Sequence, residues 1–97
     1  DQTGIDIRYQ KSEIRIECYP NPTQGKSDIR YQISEVRNVT LAVYGIYGRE
    51  IVVLVDETQD AGVHNINFDT SALPDGLYII RLLAGNESAV GKVLVVH

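Results

Sequence analysis

The chain has 97 residues, of which 43% are hydrophobic and 23% charged; this composition is typical of one globular domain with a single core and argues against disorder. The net charge of −4 and the lack of any basic run argue against a nucleic-acid partner. No apolar stretch approaches the ~18 residues that span a bilayer and no signal peptide opens the chain, so we expect that a leader was removed or that the chain is part of something longer.

The first residues are largely polar, which predicts a linker at 1–12 and one folded domain at 13–97. The pentapeptide DIRYQ occurs at 6–10 and again at 28–32. We interpret this as chance recurrence of an amphipathic strand motif. The alternative is that the first copy imitates the second as an edge strand in a neighbouring molecule, which would favour a weak homodimer.

Seven short strands follow at intervals of roughly 8 to 13 residues, and they predict an all-β fold, a seven-stranded antiparallel immunoglobulin-like β-sandwich. Each strand has either alternating apolar residues or a nearly continuous apolar run, and no helix-length periodicity occurs. The predicted strands are EIRIEC (13–18), SDIRYQIS (27–34), NVTLAVYG (38–45), REIVVLVDE (49–57), GVHNINFD (62–69), GLYIIRLLAG (76–85) and SAVGKVLVVH (88–97).

The first strand runs into a rigid segment, YPNP (19–22). Proline fixes φ and removes a backbone donor, so Pro20 and Pro22 cannot both lie within a central strand. Tyr19 and Asn21 each precede a proline and are biased toward extended or polyproline-like conformations. The sequence therefore predicts a stiff, extended crossing between two elements.

Three later connections have recognisable turn chemistry. The tripeptide IYG (46–48) fits a three-residue hairpin with glycine in the left-handed conformation, and GN (85–86) fits a two-residue hairpin. The longer segment DTSALPDG (69–76) is predicted to be a crossing in which Leu73 closes the end of the sandwich.

Side chains suited to catalysis or metal binding are few, so neither an enzyme nor a cofactor is expected. Cys18 lies on the same side of its strand as Ile14 and Ile16, and is therefore expected to be a small buried side chain rather than a reactive thiol. His64 lies on the apolar side of its strand, where a packed histidine is the simpler interpretation. The loop carboxylates lack the regular spacing of a calcium loop and are expected to be solvated turn residues, with calcium as the alternative. These carboxylates are Asp56, Glu57, Asp60, Asp69 and Asp75.

The last hairpin carries more apolar surface than one core needs. If Ala84 faces Glu87 across the turn, one face of the hairpin packs on the core and the other points outward. A two-layer sandwich buries only one face of each sheet, so the second face needs another explanation. Either the core is wide, or the N-terminal segment folds over this face, or the face is a docking surface for a partner. The predicted outward residues are Leu77, Ile79, Arg81, Leu83, Val90, Lys92, Leu94 and Val96.

The order of four motifs resembles one protein family. YPNP (19–22), VYGIYGRE (43–50), AGVHNINFDTSALPDGLYIIRL (61–82) and KVLVV (92–96) resemble the C-terminal sorting domain of proteins exported by the type IX secretion system. The resemblance covers 14–97. The pattern is also similar to the immunoglobulin-like domain of flagellar hook-capping proteins.

The resemblance implies a signal domain that follows a secreted passenger protein, joined to it by the linker at 1–12. It implies recognition in the periplasm by an outer-membrane translocon, then removal by a sortase as the passenger is anchored at the surface. The implied partners are translocon and sortase components, and the implied location is the periplasm in transit to the outer membrane, cell surface or extracellular space.

Carried over position by position, the resemblance marks turns, core strands and the C-terminal segment. Packing explains Lys92 least, so we expect Lys92 to take part in recognition with the rest of its outer face. The expected recognition residues are Lys92, Arg81, Leu77, Ile79, Leu94 and Val96. The matching motif positions are Pro20, Asn21, Pro22, Gly48, Gly62, Leu73, Gly76, Tyr78, Lys92, Val93 and Val95.

The alternative function is a non-catalytic accessory module of a secreted multidomain enzyme, either structural or contacting carbohydrate. Carbohydrate sites usually need a platform of exposed aromatic side chains. The chain has no tryptophan, and its six tyrosines are scattered, which favours the sorting signal.

Overall fold

The computed structural model of the protein describes residues 14–97. The linker predicted at 1–12, which contains the DIRYQ copy at 6–10, lies outside the described residues. The linker and edge-strand hypotheses therefore stay predictions.

The described chain consists of seven β-strands, and the all-β prediction is confirmed. The strands are β1 (Ile16–Tyr19), β2 (Lys26–Ile33), β3 (Arg37–Gly45), β4 (Glu50–Gln59), β5 (Gly62–Asp69), β6 (Gly76–Ala84) and β7 (Glu87–Val95). Their ends differ from the predicted ones by at most three residues. Over 14–97 there is no helix with the length and apolar character needed to cross a membrane.

The strands form two antiparallel sheets that pack face to face. The three-stranded sheet has the order β1-β2-β5, and the four-stranded sheet has the order β4-β3-β6-β7. The chain therefore crosses between the sheets after β2, β4 and β5. This arrangement is the predicted sandwich, with β1 and β5 at the edges of one sheet and β4 and β7 at the edges of the other.

The core lies between the sheets because side chains alternate across each strand. Ile29 of β2 and Leu82 of β6 are both 0% exposed, and they belong to one cluster to which both sheets contribute. Burial of this apolar surface is the main favourable term in folding. The buried cluster comprises Ile14, Ile29, Tyr31, Ile33, Val39, Leu41, Val43, Val55, Phe68, Tyr78, Ile80, Leu82, Ala84, Val93 and Val95.

Both predicted hairpin turns are confirmed. Gly48 has a φ of 88° and Gly85 a φ of 64°, values in the left-handed region that favours glycine. The second turn sets Ala84 opposite Glu87, the predicted register. Leu73 packs against the core cluster, as predicted for the residue that closes the end of the sandwich.

The YPNP segment does not form the predicted extended crossing. Tyr19 ends β1 and pairs with Asp28 of β2, so the segment leaves one sheet and returns to it. Residues 20–22 are bent, and the bonds that precede Pro20 and Pro22 are both cis. The prediction was wrong because hydrogen bonds to the distant strand β7, described below, outweigh the local bias toward extended backbone.

Candidate functional site

The outer face of the β6–β7 hairpin carries the side chains predicted for recognition. Ile79 pairs with Lys92 across the hairpin. Val93, which points inward, is 0% exposed, whereas Val90 is 64% and Leu94 39% exposed. The structure therefore places these residues outward as parity predicts, and their role in recognition stays a prediction. The outward residues are Leu77, Ile79, Arg81, Leu83, Val90, Lys92, Leu94 and Val96.

Arg81 and Lys92 are the cations of this face. Arg81 pairs with Val90 and Lys92 with Ile79, so the two residues are diagonal neighbours whose Cα atoms lie about 7–8 Å apart in this geometry. Both are exposed, and within residues 14–97 neither makes an ion pair or a side-chain hydrogen bond. Both charges are therefore available to bind an anionic group.

The apolar surface continues from the hairpin onto β3 and β4. Tyr44 pairs with Ile79 and Ala42 with Arg81. Val53 of β4, opposite Ala42, is 41% exposed. A shallow surface depression lies over this junction. Its lining residues are Tyr44, Gly45, Ile46, Gly48, Ile79, Arg81 and Val90.

Asn21 of the YPNP segment is hydrogen-bonded to the last strand. Its Nδ2 donates to the Lys92 carbonyl at 2.9 Å, and its Oδ1 accepts from the Leu94 amide at 2.9 Å. A side-chain amide has the same donor and acceptor groups as a peptide unit. Asn21 therefore takes the place of a neighbouring strand at the edge of β7.

Thr23 extends this contact along the same edge. Its N–H donates to the Leu94 carbonyl at 2.9 Å, and its carbonyl accepts from the Val96 amide at 2.9 Å. The result is a short parallel bridge to Val95. Together with Asn21, four hydrogen bonds cover the end of this edge strand and protect it from pairing with another chain.

Three buried hydroxyl groups hold the bent segment in place. Thr23, Ser27 and Thr70 are at most 1% exposed. Ser27 donates to the Pro20 carbonyl at 3.1 Å, and Thr70 donates to the Gly25 carbonyl at 2.8 Å. Burying a hydroxyl is unfavourable unless it is hydrogen-bonded, so these partners favour the one backbone path that satisfies all three groups.

The C-terminus and the loop before β6 lie at the same end of the sandwich. Tyr78 donates its hydroxyl to the Pro74 carbonyl at 2.7 Å. The Nε2 atom of His97 lies 2.8 Å from the Leu73 carbonyl, and the His97 amide donates to the Asp75 carboxylate at 3.2 Å. We call the region formed by 20–25, 70–76 and 93–97 the closed end.

Most of the motif positions implied by the resemblance meet at the closed end, although they are far apart in the chain. Gly76 pairs with Val95 and Tyr78 with Val93. The turn that contains Gly48 leaves the sheet at this end as well, since β3 finishes beside Tyr78. Gly62 is different: it begins β5 opposite the last residue of β2, at the other end.

The sequence did not predict the close approach of β1 to β7 across the core. A Cβ atom on Gly91 would lie 3.2 Å from Cγ2 of Ile16 and 3.9 Å from Sγ of Cys18, so glycine leaves room for β1. Cys18 is half-buried, and burial raises the pKa of its thiol. Cys18 packs against the core cluster, so the prediction of a small buried side chain is correct about its packing but not about full burial. A glycine at an inward position of an apolar strand was the available signal for this contact.

The remaining polar candidates make structural contacts. His64 stacks on Tyr31 with ring centroids 5.4 Å apart, and its Nε2 lies 2.8 Å from the Asp60 carbonyl; the predicted packed histidine is confirmed. Tyr31 donates its hydroxyl to Gln59, and burial raises the pKa of that hydroxyl. In the described part of the chain, no three His, Cys, Asp or Glu side chains are placed to hold a metal ion.

Comparison with known proteins finds one matching family. The family described as "Secretion system C-terminal sorting domain" matches residues 17–96. No match to this chain was found among curated protein sequences. The matched range includes both the YPNP segment and the last strand, the two elements joined by Asn21. The chain therefore belongs to the secretion-system C-terminal sorting domains, the sorting signals of type IX secretion.

Proposed function

We propose that the outer face of the β6–β7 hairpin is the surface through which an outer-membrane translocon component binds this sorting domain. One observation supports this most: an exposed apolar face carries two cations that have no partner within residues 14–97. The passenger then crosses the outer membrane to the cell surface, and a sortase removes the domain at the linker.

The chemistry of this face suits a protein partner. Covering apolar area is favourable by about 25 cal/mol per Å². Loss of solvent around Arg81 and Lys92 would strengthen their attraction to carboxylates on the partner. Because the cations lie among apolar side chains rather than apart from them, a partner with acidic residues inside an apolar surface would make both contacts at once.

The closed end keeps this surface preformed. Asn21 and Thr23 hold the backbone of β7 on either side of Leu94, and the side chain of Lys92 projects from the same stretch. A partner that meets a surface already in its bound shape does not have to pay for ordering it. We therefore assign the YPNP segment a supporting role and the hairpin face the contacting role.

Export of a reporter tests the contacting role. The reporter carries an inner-membrane leader and residues 1–97, and is expressed in hosts with and without the translocon. Lys92→Ala should retain the reporter in the periplasm while the unfolding free energy stays within about 0.5 kcal/mol, as is usual for surface substitutions. Lys26→Ala is the matched control, since Lys26 is an exposed lysine on β2 of the other sheet. Normal surface delivery with Lys92→Ala would contradict the proposal.

Removal by a sortase has its own test. Mass spectrometry of the domain released from cells should find a new N-terminus within 1–12. An intact fusion at the cell surface, or cleavage inside the sandwich, would contradict the sortase step and leave the binding proposal untouched.

A further inference from the structure

The outer face of the four-stranded sheet has acids at one edge and a cation at the other. The register places Glu50, Tyr44, Ile79 and Lys92 in one row across β4, β3, β6 and β7. Glu50 and Lys92 are exposed at the two ends of this row, and neither makes an ion pair within the described residues. The row is therefore charged negative at one end, apolar in the middle and positive at the other end.

The adjacent rows are apolar or uncharged over most of their length. In one, Val53 and Val90 lie at the two ends, with Ala42 and Arg81 between them. In the next, Asp56 lies at the β4 end and Ser88 at the β7 end. Carboxylates thus occupy the β4 side of the face, and the cations occupy the β6–β7 side.

We propose that this face binds the same face of a second copy of the chain. A two-fold axis that lies between the sheets and runs along the strands places β4 of one molecule over β7 of the other. The same axis sets each row of one molecule opposite the same row of the other molecule, with the order of the strands reversed. Glu50 of each molecule then faces Lys92 of its partner, and Val53 faces Val90. Such self-complementarity is the defining property of a two-fold interface.

The geometry of sheet packing allows these contacts. Stacked sheets lie about 10 Å apart, with strand directions within about 30° of each other. The long side chains of Glu50 and Lys92 can together span this distance between the sheets. Ala42 lies opposite Arg81 of the second copy and carries no charge that would repel the guanidinium. Arrangements with β7 over β7 would instead set Lys92 near its own copy, where like charges repel.

The interface is small. Four strands at about 4.8 Å spacing make a patch only roughly 19 Å wide, so we expect its buried area to be at the low end of those of specific interfaces. We therefore expect a reversible dimer that appears at high protein concentration, with a Kd between about 10 μM and 1 mM. Its affinity should fall in 0.5 M salt, because exposed ion pairs are screened.

Sedimentation equilibrium of residues 1–97, at protein concentrations up to about 1 mM, tests the inference. Glu50→Lys and Lys92→Glu should each weaken the dimer by on the order of 10-fold or more, since each change replaces two attractive pairs by two repulsive ones. The double variant Glu50→Lys/Lys92→Glu should restore the dimer. Glu17→Lys, on the outer face of the other sheet, is the matched control and should change nothing.

Three results would overturn the inference: a wild-type chain that stays monomeric at every concentration, a dimer unaffected by the single charge reversals, or a double variant that fails to dimerise while remaining folded. If deletion of 1–12 abolishes the dimer while the charge reversals have no effect on it, the dimer forms instead through the edge-strand pairing suggested by the DIRYQ copy.

This inference does not depend on the proposed function, although both use one face. Glu50→Lys separates the two, because it should dissociate the dimer and leave export unchanged. The double variant gives the opposite combination of results. It should dimerise but should not be exported, because it lacks the Lys92 cation. If the dimer and the translocon compete for this face, delivery should decrease as expression of the free domain increases.

Discussion

The outer faces of the two sheets differ sharply in chemistry. On the three-stranded sheet, β2 presents Asp28, Arg30 and Gln32 to solvent, with apolar residues confined to the inner positions. On the four-stranded sheet, β6 and β7 present a largely apolar surface in which Val90 is 64% exposed. The inner faces of both sheets contribute to one buried core, and that core does not require an apolar outer face.

The difference distinguishes the residues that form the core from those to which we assign the proposed contact. Strict alternation of polar and apolar residues in β2 is typical of a sheet with one face exposed to solvent. Near-continuous apolar runs in β4 and β6 are typical of a sheet that is covered on both faces, yet within residues 14–97 Val53 and Val90 on its outer side remain exposed. This pattern supports the proposal that the outer face of this sheet meets another molecule. Each of the following changes tests that division.

The largest expected effect is on the inner side of the apolar sheet. Leu82→Ala should lower the unfolding free energy by about 2–5 kcal/mol, because Leu82 is 0% exposed and the truncation leaves a cavity in a close-packed core. Leu94→Ala, on the outer side at 39% exposure, should cost only about 1 kcal/mol. Urea titrations of both variants measure the contrast; equal losses would show that the outer face is also a core.

A smaller effect is expected where the polar segment meets the apolar sheet. Asn21→Asp keeps the acceptor for the Leu94 amide and removes the donor to the Lys92 carbonyl, which should cost about 1 kcal/mol. Hydrogen exchange at the Leu94 and Val96 amides should accelerate as the edge of β7 opens more often. Asn65→Asp, on the outer face of the other sheet, is the control and should leave exchange in β7 unchanged.

Two exposed valines compare the outer faces directly. Val90 is 64% exposed on the four-stranded sheet, and Val63 is 50% exposed on the three-stranded sheet. Replacing either one by serine should change the unfolding free energy by no more than about 0.5 kcal/mol. Export of the reporter fusion should fall with Val90→Ser and stay normal with Val63→Ser. If both variants are exported alike, the apolar face has no special role in recognition.

The outer face of the last hairpin could be predicted because its turn fixes its register. Once GN (85–86) sets Ala84 opposite Glu87, alternation assigns every other residue of β6 and β7 to a side. Contacts of Asn21 could not be found in this way, since Asn21 and Lys92 are separated by 71 positions. Local preferences describe only how the chain leaves β1, whereas the bend depends on partners distant in the chain, above all the backbone of β7.

The smallest expected effect is a pH dependence on the polar side of the molecule. Asp69 accepts hydrogen bonds from the hydroxyl and the amide of Ser71, at 2.7 and 2.9 Å, and these lower the pKa of its carboxyl below the ordinary value. A lowered pKa stabilises the fold at pH values above the pKa of the unfolded carboxyl, about 3.9, and this contribution is lost as the pH falls through the pKa of the folded state. The variant Asp69→Asn keeps an acceptor oxygen but does not titrate.

The urea midpoint of Asp69→Asn should therefore fall less than that of the wild type between pH 5 and pH 2. Asp56→Asn, at a side chain that makes no hydrogen bond within 14–97, controls for loss of charge alone. Matching pH profiles for the wild type and Asp69→Asn would show that the Ser71 contacts persist equally in the unfolded chain.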